Sequence, residues 1–328
     1  MKRKILKTAG VLLGIAALGF AGLMAATSGD APVTDLVVHD ADLPRLTVNG
    51  ITLHGEVIGD PGAPLAIVLH GGPGGDHRSL KALAALEETH RVLFFDQRGA
   101  GLSERVAPED LTLAAQLSDI DALAEQFSPD GQITLIGHSF GAMLALAYIG
   151  AHPTRVSRAV LIEPGFLDAA GYEAWEARRA EMSRTFPVVR AGLLAGFQSR
   201  NVTATDEAAP QDYVVGTVVH AFADHPDNPY HCAGKPYDAP AWRFGATASD
   251  TFWADPSVIF PALDAAFSAD VPLLFVAGGC NDWTGEALQA AHASRFPTAE
   301  LAVVEDAGHD VIWDQPAHAL TAIRAFLD

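Results

Sequence analysis

The chain has 328 residues and a mass of 34.5 kDa, enough for a core domain of about 200 residues and an insertion. Apolar residues make up 49% of it and charged residues 19%, which excludes a disordered or collagen-like chain. The formal charge is −19, and four of the 21 basic residues lie in the first seven positions, so the rest of the chain repels phosphate backbones. We therefore expect no nucleic-acid partner.

Residues 1–29 have the pattern of an export leader. Their basic start precedes an uncharged apolar run at 9–26 and then a polar segment. The length of this run lies between that of the short apolar core of a cleaved signal and the roughly 20 residues of a membrane-spanning helix. A cleaved signal peptide and membrane attachment through residues 1–29 are both open. In either case we expect an exported protein, in the periplasm, on the outer face of the cytoplasmic membrane or secreted.

Beyond residue 30, short β-rich runs alternate with helical patterns, which predicts an α/β fold with a mostly parallel central sheet flanked by helices. A hairpin is predicted at 46–58, around Asn49-Gly50. Continuous apolar runs then predict buried parallel strands at 65–69, 92–95, 133–136, 159–162, 273–277 and 302–304. Helices are predicted at 113–127, at 142–152 and from about 314 to the end.

This alternation is interrupted between residues 165 and 262, where helical pieces are followed by a segment rich in Pro, His and Tyr. A stretch of this length inside a compact domain is more often functional than idle. We interpret it as an inserted, mainly helical cap. The predicted organisation is a leader at 1–29, a core in two parts at 30–164 and 263–328, and the cap at 165–262 between them.

The segment Gly137-His138-Ser139-Phe140-Gly141 fits the pattern Gly-x-Ser-x-Gly between a predicted strand and a predicted helix. A serine at such a junction sits on a sharp turn with its hydroxyl above the sheet, close to the N–H groups that begin the helix. The alternative is a tight glycine-rich turn with a capping serine. We predict that Ser139 is a nucleophile.

An acyl-transfer site also needs a base and a carboxylate that orients the base. His309 directly follows the last predicted strand, and that position selects it from the 13 histidines. Asp282 lies just past the preceding strand, so we expect Asp282 to orient His309. Rival acids are Glu163, at the end of an earlier strand, and Asp306, which is too close to His309 in sequence to orient it easily.

Donors for an oxyanion are expected in His70-Gly71-Gly72-Pro73-Gly74-Gly75, which directly follows the first predicted parallel strand. A run of this composition exposes backbone N–H groups and can turn one of them toward the site. We predict an oxyanion hole formed by the N–H groups of Gly72 and Phe140, and favour Gly72 over Gly71. The alternative is a plain Gly-Pro turn.

Two further motifs complete the pattern: Asp96-Gln97-Arg98-Gly99-Ala100-Gly101-Leu102-Ser103 and Gly308-His309. The combined motifs resemble the proline iminopeptidase (prolyl aminopeptidase) branch of the α/β-hydrolase fold. The resemblance spans about residues 46–163 and 270–328 and does not cover the cap. It implies that Asp96 and Arg98 support the site structurally.

The resemblance also implies an enzyme without a cofactor, acting on a small-molecule or short-peptide substrate. Ser139 would be the nucleophile, His309 the base and Asp282 the orienting acid. The first predicted function is an aminopeptidase that releases an amino-terminal residue from short peptides. Because the Gly-His-Ser-Phe-Gly elbow is shared with esterases, a small-molecule carboxylesterase or lactonase is the alternative. A catalytically idle binding protein of the same fold is the alternative from another class.

The residue that would hold the ammonium group of a peptide substrate is not identified. The family's cap carries a Trp-Glu-Gly stretch and acids with this role, whereas here Trp175-Glu176 is followed by Ala177. Six acids are therefore candidates: Glu163, Glu173, Glu176, Asp224, Asp227 and Asp238.

The two cysteines, Cys232 and Cys280, are too few for a disulfide scaffold. They could pair in an oxidising compartment, or remain two buried thiols. His220, His225 and His231 lie near Cys232 in sequence, but their spacings fit no standard zinc ligand set, so no metal is expected. The sequence does not determine the oligomeric state.

Overall fold

The structure is a computed structural model that describes residues 2–328, with side chains described for residues 14–328. The strands are β1 (Ala31–Pro32), β2 (Arg45–Val48), β3 (Ile51–Ile58), β4 (Leu65–Leu69), β5 (Arg91–Phe95), β6 (Ile133–His138), β7 (Val156–Ile162), β8 (Val202–Thr203), β9 (Leu273–Gly278) and β10 (Ala299–Val304). The α-helices are α1 (Lys2–Ala26), α2 (Leu113–Phe127), α3 (Phe140–Ala151), α4 (Ala169–Ser183), α5 (Phe186–Gln198), α6 (Ala209–Ala223), α7 (Ala246–Ala254), α8 (Phe260–Ala266), α9 (Glu286–Ala293), α10 (Val311–Asp314) and α11 (Pro316–Leu327). A longer 3₁₀ helix runs over Arg78–Glu88.

One eight-stranded sheet organises the molecule, in the order β10-β9-β7-β6-β4-β5-β3-β2. Its first six strands run parallel, and β3 and β2 are antiparallel to their neighbours. The predicted mostly parallel sheet with flanking helices is confirmed. The predicted hairpin is β2 and β3, joined at Asn49 and Gly50, whose φ angles of 46° and 79° fit a tight two-residue turn.

The parallel strands are largely apolar because helices cover both faces of the sheet. In β4, for example, Ile67 packs toward a cluster that includes α2, α3 and α8, while Val68 packs toward the 3₁₀ helix and α11. Helix α3 is buried from Phe140 to Ile149, so it lies in the interior of the molecule, on the face of the sheet that α2 and α8 also cover. Each fully buried large apolar side chain contributes about 2 kcal/mol, so this double layer fixes the strand ends in place.

Helices α4 to α8 fill the predicted cap range between β7 and β9, with the short pair β1 and β8 beside them. Helix α8, at the end of that range, packs against α3 of the core. A Cβ atom added to Gly150 would lie 2.2 Å from the carbonyl oxygen of Ala262, so the two helices touch through backbone there.

Helix α1 coincides with the predicted leader, and the side chains of its basic start lie outside the described residues. Within residues 14–328, whose side chains are described, no helix has the length and apolar character needed to cross a membrane. The end of α1 lies against the cap. The Phe20 ring packs 6.4 Å from the Phe197 ring of α5, and the Asn201 side chain donates to the Thr27 carbonyl at 2.6 Å.

Residues 224–245, between α6 and α7, form an irregular segment that we call the strap. A disulfide joins Cys232 of the strap to Cys280 after β9, so the oxidised alternative is the one found. Elsewhere the strap is held by hydrogen bonds. The N–H of Gly245 donates to the Gly74 carbonyl at 2.7 Å, and the Asp238 carboxylate accepts from the Trp313 indole at 2.8 Å. The strap therefore crosses the edge of the sheet where the predicted site residues meet.

Candidate active site

Ser139 lies at the sharp turn between β6 and α3. Its φ and ψ of 54° and −119° are strained for a residue with a side chain, as the predicted elbow requires. Two glycines make the turn sterically feasible. A Cβ atom on Gly137 would lie 2.4 Å from the carbonyl oxygen of Gly141, and one on Gly141 would lie 2.1 Å from that of Leu69. The serine hydroxyl is thus presented at the carboxyl edge of the sheet.

The glycine-rich loop after β4 lies beside this serine. A Cβ atom on Gly71 would be 3.0 Å from the Cβ of Ser139, so only a glycine fits there without displacement. Within the described residues, the N–H groups of Gly72 and Phe140 donate to no protein acceptor. The loop beside the serine and the start of α3 therefore each contain a backbone donor without a protein acceptor.

His70 and Gln97 hold this glycine-rich loop in place. The ring nitrogens of His70 bond the Gly71 carbonyl at 2.8 Å and accept from the Gln97 N–H at 2.9 Å, while the Gln97 amide donates to the His70 carbonyl at 2.9 Å. Burial lowers the pKa of His70 to about 4, so the ring is neutral and can accept that hydrogen bond. Sequence reasoning missed the contribution of Gln97.

Asp96 and Arg98 make their contacts within the core. The Asp96 carboxylate bonds the Nδ1 atoms of His54 and His77 at 2.8 and 2.7 Å. Burial alone would raise the pKa of Asp96, but His77 and His54 hold it well below its usual range. These three side chains have the atom types of a metal site, yet both Nδ1 atoms are engaged by the carboxylate. Arg98 forms two bonds, of 2.7 and 2.6 Å, to Asp119.

The acid that contacts His309 is Glu163. The His309 Nδ1 lies 2.7 Å from Oε2 of Glu163, which is fully buried directly after β7 and has a φ of 49°. Asp282 is exposed, and its N–H donates to the Pro229 carbonyl at 2.9 Å. The prediction that Asp282 orients His309 is therefore wrong, and Glu163, the rival acid, is the carboxylate in contact with His309.

Asn281 explains why Asp282 points away from the site. Its side-chain oxygen accepts from the N–H groups of Trp283 and Thr284, each at 2.9 Å, which closes a tight turn after β9. Its amide nitrogen donates to Glu163. The loop after β9 thus presents an amide to Glu163 and leaves the next residue, Asp282, in solvent. The available sequence signal was Glu163 itself, an acid directly after a buried strand.

Burial controls the protonation of the Glu163–His309 pair. It raises the pKa of Glu163 to about 8, in spite of donation from the Gly278 N–H at 2.7 Å and from Asn281. Burial also lowers the pKa of His309, against the raising effect of Asp310. Because the two groups are in direct contact, they titrate as one unit.

The imidazole of His309 lies between two other rings. The Tyr230 ring of the strap stacks on it with centroids 4.4 Å apart and planes 13° apart, and the His138 ring lies 4.7 Å away. Backbone bonds add to this contact. The Tyr230 carbonyl accepts from the His309 N–H at 2.7 Å, and the His138 ring bonds the His309 carbonyl at 2.9 Å. Burial, with His309 adding to its effect, lowers the pKa of His138 to about 3, so this ring stays neutral.

Tyr230 is the first member of an aromatic wall. Trp283 stacks on it at 4.3 Å, Trp175 follows at 5.6 Å and Trp253 at 4.9 Å. The Trp175 indole donates to the Tyr230 hydroxyl at 2.6 Å. Sequence reasoning missed Tyr230, because the disulfide-linked strap brings it to His309 from the middle of the cap.

The six acids that could hold a substrate ammonium are paired or exposed. Glu163 is bonded to His309, and Glu176 forms two bonds, of 2.6 and 2.7 Å, to Arg179. The other four face solvent: Glu173, Asp224, Asp227 and Asp238.

Ser139 lies at a strained strand-to-helix turn at the carboxyl edge of a parallel sheet, and the loop with His309 and the free N–H donors lie at the same edge. This arrangement defines the class of α/β hydrolases. Comparison with known families agrees, because the alpha/beta hydrolase fold family matches residues 64–316. The chain belongs to this family.

The chain is similar to proline iminopeptidases among curated proteins. It is 26% identical to the proline iminopeptidase of Heyndrickxia coagulans over 81% of this chain and 91% of that protein. It is 39% identical to the proline iminopeptidase PfmaB of Pestalotiopsis fici, over 35% of this chain and 41% of that protein. This second match spans about two fifths of the relative's length.

Solved structures show the same fold at low sequence identity. A proline iminopeptidase-related protein from Thermus thermophilus matches with a TM-score of 0.60 and 24% identity, over 87% of this chain and 96% of that one. Est816, described as an N-acyl homoserine lactone degrading enzyme, matches with a TM-score of 0.59 and 21% identity, over 86% of this chain and 100% of that one. The chain is thus an α/β hydrolase that is similar in sequence to proline iminopeptidases and shares its fold with Est816.

Proposed function

We propose that this protein is a serine hydrolase in which Ser139 attacks, His309 acts as the base and Glu163 orients His309. The observation that carries the proposal is the 2.7 Å contact between Glu163 and His309 Nδ1, made next to the strained serine turn. A carboxylate bonded to Nδ1 holds the imidazole in the tautomer whose Nε2 can accept a proton.

The reaction begins when His309 Nε2 takes the proton of the Ser139 hydroxyl as its oxygen bonds to the substrate carbonyl carbon. The free N–H groups of Gly72 and Phe140 then stabilise the negative oxygen of the tetrahedral intermediate. His309 gives the proton to the leaving group, which departs as an alcohol or an amine. Water, deprotonated by the same imidazole, releases the acid and restores the serine. Removing one oxyanion donor costs about 3 to 4 kcal/mol in such sites.

For the substrate, the first candidate is a short peptide with a free amino terminus. It is supported by the sequence similarity to proline iminopeptidases over most of the chain. The cleaved bond would then be the first peptide bond, with an amine as the leaving group.

A small carboxylic ester or lactone is the second candidate, and one observation favours it. None of the six candidate acids is both buried and unpaired, whereas a substrate ammonium removed from water needs a carboxylate partner. An uncharged ester needs only the aromatic wall and the two oxyanion donors.

Labelling with a serine-directed fluorophosphonate tests the mechanism in the full chain. We expect one labelled residue, Ser139, and loss of labelling in Ser139→Ala and in His309→Ala. An unlabelled native protein would contradict the mechanism and favour the idle binding protein. Turnover of proline naphthylamide and of p-nitrophenyl butyrate then separates the two substrate classes. Hydrolysis of the ester alone would remove the aminopeptidase.

We also propose that the protein is exported. The leader pattern at 1–29 supports this, and so does the Cys232–Cys280 disulfide, because disulfides persist in oxidising compartments. Cell fractionation with a cytoplasmic marker tests it. Recovery of the protein with the cytoplasmic marker, with both thiols reduced, would contradict export.

A further inference from the structure

The exposed large apolar side chains of this protein are concentrated on a few helices. Of ten such side chains in the described part of the chain, seven lie on α1, α5 and α6. These seven form what we call the apolar patch: Ile15, Leu18, Phe20, Phe186, Val189, Leu193 and Val219. Single exposed apolar side chains are ordinary, whereas a group of them marks an interaction surface.

Helix α5, at the centre of the patch, carries large apolar residues on its outer, solvent-facing side. Phe186, Val189 and Leu193 are 78%, 56% and 55% exposed, and their spacing of three and four residues puts them on one face. Val188 and Ala195 are buried on the other face. A surface helix of a globular protein normally carries polar residues on its outer face. The outer face of α5 is therefore suited to an apolar surrounding.

The charge of the α5 segment is opposite to that of the whole protein. Residues 184–205 contain three arginines, Arg184, Arg190 and Arg200, and no acidic residue, in a chain with 40 acids and 21 bases. All three arginines are exposed. Basic side chains beside an outward apolar face are typical of helices that lie in the interface of a bilayer. Basic residues near an anionic lipid surface strengthen binding to it.

The α5 part of the patch adjoins its α1 part. Phe20 of α1 packs on Phe197 of α5 at 6.4 Å, and Arg200 donates to the Thr27 carbonyl at 3.1 Å. The sequence of α1 has no charge from Ala9 to Ala26, as expected of a segment that meets lipid. The apolar surfaces of α1 and α5 therefore lie side by side.

We propose that the apolar patch is a lipid-binding face, which seats the cap on a bilayer with anionic headgroups. Lipid fits both the apolar centre and the surrounding arginines. A second copy of the chain fits less well, because a symmetric contact through the patch would bring Arg190 and its neighbours of the two copies together. The proposal does not depend on the chemistry of Ser139.

Fluorescence from a single labelled position tests this face in the full chain. The chain has two cysteines, both in the disulfide, so an introduced cysteine is the one thiol available for labelling. We would label Val189→Cys with the polarity-sensitive fluorophore NBD, and use Val258→Cys as the control, since Val258 is 48% exposed outside the patch. With vesicles of equal phosphatidylcholine and phosphatidylglycerol, the NBD emission at position 189 should shift to the blue and be quenched by nitroxide-labelled lipid. The emission at position 258 should show neither change.

Three results would overturn the proposal. Vesicle binding with no change at position 189, nor at Leu193→Cys, would assign binding to the leader alone. Equal quenching at positions 189 and 258 would indicate adsorption without orientation. A blue shift that grows with protein concentration in the absence of vesicles would assign the patch to self-association.

With Arg184→Gln and Arg190→Gln added, we expect the fluorescence response at position 189 to fall to that with phosphatidylcholine alone. An unchanged response would exclude the headgroup contribution.

Discussion

His309 is held from two sides that are built differently. On the core side, Glu163 and Asn281 follow β7 and β9, whose residues are buried on both faces of the sheet. On the cap side, Tyr230 belongs to the strap, which has no helix or strand and is tied down by one disulfide and separate hydrogen bonds. We infer that the core side sets the proton chemistry, while the cap side sets where the imidazole ring lies.

Ser139→Ala should give the largest loss, because it removes the nucleophile and leaves only binding and the oxyanion donors. We expect kcat to fall by about 10⁵- to 10⁶-fold, with an unchanged thermal midpoint. Steady-state kinetics on the better of the two substrate classes measures this. Ser268→Ala is the matched control, since Ser268 is exposed, and should leave kcat unchanged. Equal activity in both variants would exclude the proposed nucleophile.

Glu163→Gln tests the core side directly. The amide cannot compensate the charge that develops on the imidazole, so we expect kcat/KM to fall by about 10³- to 10⁴-fold. Asp282→Asn is the matched control and should behave as the native protein, because Asp282 is exposed. The reverse order of effects would return the orienting role to Asp282.

Tyr230→Ala tests the cap side. Without the stacked ring, the His309 imidazole loses a contact that fixes its position, and we expect kcat to fall by about 10- to 100-fold with little change in KM. Tyr230→Phe keeps the ring and loses only the bond to Trp175, so it should retain most of the activity. If the two variants lose activity equally, the hydroxyl rather than the stacking matters.

Asn281→Ala should have the smallest effect on the maximal rate and a clear effect on its pH dependence. Activity requires the Glu163–His309 pair to carry one negative charge, so kcat/KM rises with pH as the pair loses a proton. The Asn281 amide lowers the pKa of Glu163, which burial raises to about 8. Its removal raises that pKa further and moves the acidic limb to higher pH. The acidic limb of the pH profile should not move in Asp282→Asn. An unmoved limb in Asn281→Ala would contradict the effect of the Asn281 amide on the pKa of Glu163.

Much of the core could be predicted from sequence, because strands buried on both faces leave continuous apolar runs. The runs at 65–69 and 133–136 coincide with β4 and the start of β6, and the glycines around Ser139 correctly predicted its sharp turn. These features depend on local backbone geometry and on burial, which nearby residues report directly.

The acid and the strap could not be assigned in the same way. Glu163 and Asp282 each follow a buried strand, and the choice between them depends on the side chain of Asn281, which closes the turn and turns Asp282 outward. Tyr230 reaches His309 through a disulfide between segments 48 residues apart, and no local pattern in the sequence reports that contact.

The most direct test of the Glu163–His309 contact is the proton NMR resonance of His309 Nδ1–H. A hydrogen bond to a buried carboxylate moves this proton far downfield. We expect the downfield resonance in the native protein and in Asp282→Asn, and its loss in Glu163→Gln and in His309→Ala. A resonance that persists in Glu163→Gln and disappears in Asp282→Asn would contradict the assignment of Glu163 as the orienting acid.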